Sequence, residues 1–316
     1  MKVLVTGGAG FIGSNIVERL LELGHEPVVL DDVSSGYREN LVPGVPFVEG
    51  DVRDRETVSA SMQSCGVVLH LAASVGNARS IADPQTDSAI NVIGTLNVLE
   101  AARAHGIDRV VLSSSAGIFG ELKTLPIAED HPQDPDSPYG TSKLAAEKMC
   151  LVYSKLYGMH NVCLRYFNVY GPHQRYDAYG NVIPIFADRI LKRVPMTIFG
   201  DGEQTRDFVN VADVAAANLA AAFTAGVRGV FNIGSGGRIT INELARVMQE
   251  VGGAEVGVEY GPERPGDVRD SLADISAAHA AFGFVPAVPI EGRGLEEYME
   301  WVAHDPLTLA RLEAEG

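Results

Sequence analysis

The sequence predicts an α/β protein, a doubly wound parallel sheet followed by a smaller α/β C-terminal domain. Three observations lead there. Short apolar runs rich in Val and Leu recur through the first half of the chain, amphipathic helical patterns separate most of them, and a glycine-rich turn directly follows the first run. Apolar strands alternating with helices bury a parallel sheet on both faces. The chain has 316 residues, 46% of them apolar and 21% charged, which is enough to bury a full core.

KVLVT at 2–6 reads as a buried strand, followed by glycines and a helical pattern to Leu23 that Gly24 stops. EPVVLD (26–31), PFVEGD (46–51), VVLHLAA (67–73), RVVLSSS (109–115) and NVCLRY (161–166) follow as further strands. The strongest helical patterns between them are 91–106 and 142–158. After about residue 168 the texture changes: Gly, Pro and polar residues thicken through YGPHQRYDAYGN, and strands become sparse. Helical patterns recur near 182–193, 211–224, 240–251, 274–282 and 291–303, while VFNIGS (230–235) reads as a strand able to rejoin the first sheet. The expected organisation is a cofactor domain over 1–168, rejoined by a segment around 208–235, and a substrate domain over 169–316.

Composition excludes several classes. A formal charge of −16 argues against a nucleic-acid partner, because binding phosphate backbones needs a basic face. The opening MKVLVTGGAG is neither a secretory leader nor a membrane span. Cys65, Cys150 and Cys163 form no CxxC pair and read as reduced thiols of a cytoplasmic protein. Eight scattered histidines offer no HxxxH or HExxH spacing, so no metal site is expected.

GGAGFIG places Gly7, Gly10 and Gly13 between the first strand and the first helix. That context suits a dinucleotide: a tight turn, close backbone approach to a pyrophosphate, and helix amides facing its charge. Asp31 closes the second strand about 20 residues on, where a carboxylate accepts hydrogen bonds from the adenosine ribose. It would repel a 2′-phosphate, and no Arg or Lys follows until Arg38. The reading is therefore NAD on a Rossmann-type sheet. Asp51 and Val52 are candidates to flank adenine, with a plain turn as the alternative.

SPYGTSK sets Tyr139 and Lys143 four residues apart, on one helix face. Either Tyr139 packs and Lys143 is solvated, or the ammonium lowers the proton affinity of the phenol so that it works as a base. Free Tyr has a pKa of about 10, so work near neutrality needs a shift of roughly three units, about 4 kcal/mol. A nearby ammonium and a positive nicotinamide both favour phenolate.

Taken with TGGAGFIG, LDDVSSG, GDVRD, HLAA, NVIGT, SSSAGIFG, LRYFNVYGP, GDGEQTRDFVNVADV and RPGDVRD, these residues resemble the extended short-chain dehydrogenase/reductases. Within them the chain is similar to the UDP-sugar 4-epimerases over nearly its whole length. The resemblance implies catalysis by Tyr139, Lys143 and Ser115, with cofactor contacts also from Phe11, Ile12, Leu71, Ala72 and Ala73. It implies substrate contacts from Asn168, Arg206, Arg264, Asp267 and Ser271. Arg175 occupies the place of an arginine that holds the sugar carboxylate in UDP-glucuronate epimerases, although those enzymes usually carry Thr at the position of Asn168. Phe119 replaces the usual Tyr of the family's YG pair.

The activity implied is inversion of C4 of a UDP-hexose through a 4-keto sugar, with UDP-glucose and UDP-galactose leading. UDP-N-acetylhexosamines and UDP-glucuronate are the alternatives. Dehydratases and decarboxylases of this family carry extra acids where this chain has Ala116 and Gly117. A silent NAD-sensing protein is a further alternative, disfavoured by the intact Tyr139, Lys143 and Ser115. The resemblance also implies a homodimer through the helices at 91–106 and 142–158, with Val92, Leu96, Leu99 and Ala102 as a candidate stripe, although a core-facing helix would show the same pattern.

Overall fold

The computed structural model describes residues 1–176, 181–263 and 268–315. Its strands are β1 (Lys2–Thr6), β2 (Glu26–Asp31), β3 (Phe47–Glu49), β4 (Val67–His70), β5 (Val110–Ser115), β6 (Val162–Tyr166), β7 (Asn168–Tyr170), β8 (Met196–Phe199), β9 (Thr205–Arg206), β10 (Phe208–Asn210), β11 (Gly229–Ile233), β12 (Ile239–Thr240) and β13 (Val258–Gly261). The helices are α1 (Phe11–Glu22), α2 (Arg55–Ser61), α3 (Asn77–Ala82), α4 (Pro84–Ser88), α5 (Thr95–Ala104), α6 (Pro138–Tyr157), α7 (Val182–Lys192), α8 (Val211–Phe223), α9 (Ile241–Gly252), α10 (Ser276–Phe282), α11 (Leu295–His304) and α12 (Pro306–Glu315).

Seven strands form one parallel sheet in the order β11-β6-β5-β4-β1-β2-β3, so the expected doubly wound α/β fold is present. Alternate residues of each strand serve opposite faces. Val3 and Val5 join one core with Ile16, Val17 and Leu20 of α1 and most of the apolar residues of α8. Leu4 joins the other, with Val58 of α2, Val98 and Leu99 of α5 and Cys150 of α6. The strands are apolar on both sides because helices cover both. Leu99 and Ala102 are fully buried in that second core, so for two of the four stripe residues the core-facing alternative holds and they pack α5 against the sheet.

A third core joins Ile183, Phe186 and Ile190 of α7 to Leu244 and Met248 of α9, Tyr298 of α11, and the β8 residues Met196 and Ile198. Two small parallel pairs, β7·β10 and β8·β13, and the antiparallel pair β9·β12 flank it. Among the described residues no helix is long and apolar enough to cross a membrane.

The helix carrying Tyr139 begins earlier than its apolar pattern suggests. Ser137 caps it by accepting from the amide of Gly140 at 3.1 Å, and Pro138 takes the first helical position. Tyr139 therefore stands in the first turn of α6. Gly140 lets that turn close on the preceding loop, because a Cβ there would meet the Gly117 carbonyl at 2.4 Å.

One turn past Lys143, Glu147 fixes α6 to the sheet. Its carboxylate receives Arg165 of β6 through Nε (2.9 Å) and Nη2 (2.7 Å), and the Ser114 hydroxyl of β5 at 2.9 Å. The ionic side chains are 1% and 0% exposed, so each charge depends on the other. Glu147→Gln leaves the guanidinium buried without its counter-charge and is expected to cost about 3–5 kcal/mol. Urea denaturation followed by circular dichroism measures this; an unchanged midpoint would refute the assignment.

Candidate active site

The loop between β1 and α1 brings the backbone into tight contact with itself. Gly7 has φ +71°, and its amide donates to the Leu30 carbonyl at 2.8 Å. A Cβ on Gly13 would lie 2.1 Å from the Gly7 carbonyl oxygen. Gly10 precedes α1 and provides no side-chain cap, so the first amides of Phe11, Ile12 and Gly13 are left for an anion. At the end of β2 the Asp31 carboxylate accepts from the amides of Ala9 (2.9 Å) and Val33 (2.8 Å). Burial pushes its pKa above the usual carboxylate range, and those two amides pull it back.

Leu71, Ala72 and Ala73 continue from β4 past the glycine loop, half-buried, with the amides of Leu71 and Ala72 bound to Thr6. Val52 is buried, whereas Asp51 is gripped by Arg53, whose Nε lies 2.8 Å from Oδ2. Much of the Asp51 carboxylate is thus taken up by the protein. The cradle, the uncapped helix start and the carboxylate at the end of β2 together fit a dinucleotide.

Beyond the loop, β5 and α6 bring together the three residues expected to do chemistry. Ser115 ends β5, its Oγ accepting from the Gly117 amide at 3.0 Å. Tyr139 is half-buried and hydrogen-bonds Ser115. Lys143 is only 4% exposed and donates to the Ser113 carbonyl at 2.8 Å. Burial pulls Lys143 down to about 8, against the opposing charge of Asp87.

The lowered proton affinity expected of Tyr139 is not supplied by the chain itself. Burial pushes its pKa up, the Asp87 carboxylate pushes it further, and only the Ser115 hydrogen bond pulls it down. The physical reason is burial: a phenolate in a dry site loses the water that would stabilise its charge.

A buried polar chain lies beneath. The Ala72 amide donates to Thr6 Oγ1, which lies 2.7 Å from His70 Nδ1; Thr95 Oγ1 lies 3.0 Å from His70 Nε2 and donates to the Asn91 carbonyl. This order assigns the proton to Nε2. Burial, then Lys143, drives the His70 pKa down to about 3, so the ring is neutral. Sequence reasoning missed this chain, together with Asp87, Asn91 and Ser142. Its members look like ordinary strand and helix residues until the fold stacks them.

The residues expected at the sugar nucleotide scatter more. Asn168 is half-buried and its amide donates to the Asp207 carbonyl at 3.1 Å. Arg206 is half-buried, its Nη1 2.8 Å from the Thr205 carbonyl. Ser271 is buried, its amide on the Thr205 carbonyl at 3.2 Å. Arg264 and Asp267 lie outside the described residues. Asp207, also missed, is fully buried and ties three segments together by accepting from the amides of Ser235 (2.6 Å), Gly236 (3.3 Å) and Ala273 (3.0 Å).

Arg175 departs from its expected role. Its fork is filled by the chain's own Asp305, with Nε–Oδ2 and Nη2–Oδ1 both 3.0 Å, and its guanidinium lies 4.1 Å from the Tyr37 ring centroid. It lines a cavity of about 470 Å³ with Asn40, His173 and Trp301. A carboxylate already occupies the place proposed for a sugar's. Among the described residues no group of three or more His, Cys, Asp or Glu is placed to hold a metal ion.

A sequence model of the NAD dependent epimerase/dehydratase family matches residues 3–234. A UDP-glucose 4-epimerase of Mycolicibacterium smegmatis is 38% identical over 308 residues, covering 95% of this chain and 98% of the relative. The crystal structure of a Thermus thermophilus UDP-glucose 4-epimerase complexed with NAD superposes with a TM-score of 0.88 at 40% identity, covering 96% of this chain and 100% of that one. A UDP-N-acetylglucosamine 4-epimerase of Methanobrevibacter ruminantium, in complex with UDP-N-acetylmuramic acid, gives 0.92 at 36% identity, covering 96% and 98%.

Gly13→Ala sets a methyl carbon against backbone that cannot retreat. It is expected to weaken NAD binding at least ~10-fold, more than about 1.4 kcal/mol. Calorimetric titration of the folded variant with NAD checks this, and wild-type affinity would contradict the cradle.

Proposed function

The chain belongs to the NAD dependent epimerase/dehydratase family, and from that premise we propose that it inverts C4 of a UDP-hexose, with UDP-glucose and UDP-galactose as the leading pair. The observation that carries this is the meeting of Tyr139, Lys143 and Ser115 around a position that holds no acid. A Cβ at Gly117 would lie 3.3 Å from Ser115 Oγ and 3.7 Å from the Tyr139 ring. A carboxylate at 117 would reach the reacting centre, where dehydration or decarboxylation would use it. Glycine leaves epimerisation.

Tyr139 takes the proton of the C4 hydroxyl, and Ser115 hydrogen-bonds the same oxygen as it becomes a carbonyl. Lys143, held on the Ser113 carbonyl, keeps a buried ammonium one turn from Tyr139. NAD held by the β1–α1 loop and Asp31 would supply the hydride chemistry, taking the C4 hydride with its electron pair and giving it back on the opposite face, and its oxidised form would add the positive charge that the chain alone lacks. Tyr139 then gives its proton back, so the enzyme is unchanged after each turnover. Dry surroundings strengthen every charge in this step.

The UDP-N-acetylhexosamine reading keeps one favouring observation, the small side chain of Ser271. The uronate reading loses its support, because Arg175 is paired with Asp305. The buried Cys65, Cys150 and Cys163 are all unpaired, which fits a cytoplasmic protein.

A homodimer is the assembly we propose, with α6 at its centre. Val152, Leu156 and Tyr157 of α6 are 45%, 64% and 50% exposed, and Ile93, just before α5, is 49% exposed. These replace the stripe expected from sequence. Leu156→Glu is expected to convert a dimer to monomer in light scattering after gel filtration. A wild-type monomer would sink the assembly.

Tyr139→Phe should lower turnover by at least ~10²-fold while NAD is retained. Chromatography of product from UDP-glucose, UDP-galactose, their N-acetyl forms and UDP-glucuronate decides both the step and the sugar. Interconversion of none would overturn the reading. Because the ammonium of Lys143 is present below its pKa and lost above it, activity should fall as pH rises through about 8.

A further inference from the structure

Asp87 takes no part in the reaction as described, yet it is 1% exposed and stands behind both working side chains. It lies in α4, which packs on the first turns of α6. Its Oδ2 accepts the Ser142 hydroxyl at 2.6 Å, and its Oδ1 accepts the Asn91 amide at 3.2 Å. Asn91 also donates to Ser142 Oγ (2.9 Å) and to the Ser74 carbonyl (3.0 Å), and accepts from the Ser74 amide at 2.9 Å. Ser142 sits between Tyr139 and Lys143 in the chain, its Oγ 3.0 Å from the Tyr139 carbonyl. A buried carboxylate is thus wired by one hydroxyl to the turn that carries the base.

We propose that Asp87 is a positioning residue for this site: through Ser142 it fixes the first turn of α6 and keeps a buried carboxylate beside the pair Tyr139 and Lys143. This rests on the reading of Tyr139 as base given above.

Among the described residues, these groups surround it. From α6 it faces Tyr139 and Lys143, with the Cys150 thiol also bearing on Lys143; from the segment before α5 it faces the neutral amide of Asn91. His70 of β4, coupled to Lys143, is neutral, and Arg79 of α3 is exposed. The Asp87 charge raises the proton affinity of both Tyr139 and Lys143. The two effects act on opposite limbs of a bell-shaped profile. Activity rises as Tyr139 ionises and falls as Lys143 loses its proton. Asp87 holds both limbs at higher pH than the site would otherwise have.

The test is the pH profile of kcat for NAD-loaded wild type and Asp87→Asn, which keeps the shape and removes the charge. The expected result is a shift of both limbs to lower pH, with NAD content unchanged. Reduced kcat with both limbs at their wild-type positions would overturn the proposal. Ser142→Ala keeps the charge and cuts the hydroxyl link, so kcat falls with neither limb moving. Wild-type kcat in that variant would also overturn it, and this arm remains should Asp87→Asn fail to fold. Tyr139→Phe assayed alongside separates the two claims. A fully active Tyr139→Phe removes the base itself, whereas an inactive one with unmoved limbs in Asp87→Asn removes only the role of Asp87.

Discussion

The buried pairing of Glu147 with Arg165 is the constraint on which the site depends. It joins α6 to β6 and takes in the Ser114 hydroxyl of β5. One turn back along α6, Lys143 reaches the Ser113 carbonyl; a further turn back, Tyr139 reaches Ser115. Three successive turns of one helix thus read three successive residues of one strand. Such an ion pair gains little over apolar packing, but it does fix a single register at a place where apolar contacts could slip.

Keeping charge in a dry pocket has consequences that run through the neighbourhood. His70 is stripped of its proton, Lys143 is brought close to the neutral range, and Tyr139 is made harder to ionise. The chain by itself therefore holds the Tyr139 phenol in its protonated form. Completion of the charge set falls to the bound cofactor, whose oxidised ring carries the missing positive charge. On this account reactivity is conditional on NAD, which would keep an exposed phenolate from forming in its absence.

Much of this was legible in the sequence. The run from KVLVT through GGAGFIG to Asp31 has short, local causes: β-branched and apolar residues with nowhere to go but a sheet, and glycines where a Cβ would strike backbone. Tyr139 and Lys143 were visible because a helix turns their spacing into a shared face. Asp87, Ser142 and Asp207 were not, since each acts only through partners brought near by the fold, such as Ser142 lying 55 residues from Asp87. Arg175 misled for a related reason: its motif spoke for a substrate carboxylate, while Asp305, 130 residues away, supplies one from within the chain. The candidate stripe stayed open for the same reason: an apolar periodicity does not say whether a partner or the core covers it, and for Leu99 and Ala102 the core does.

The central claim is that Tyr139 is a base whose ionisation waits on the positive charge of the bound cofactor. Protein labelled with 13C at the tyrosine ζ carbon, with Tyr139→Phe to assign the signal, allows its pKa to be followed by NMR in the oxidised and reduced cofactor complexes. The account predicts a clearly lower Tyr139 pKa with oxidised NAD than with the reduced form. The same pKa in both complexes would contradict it.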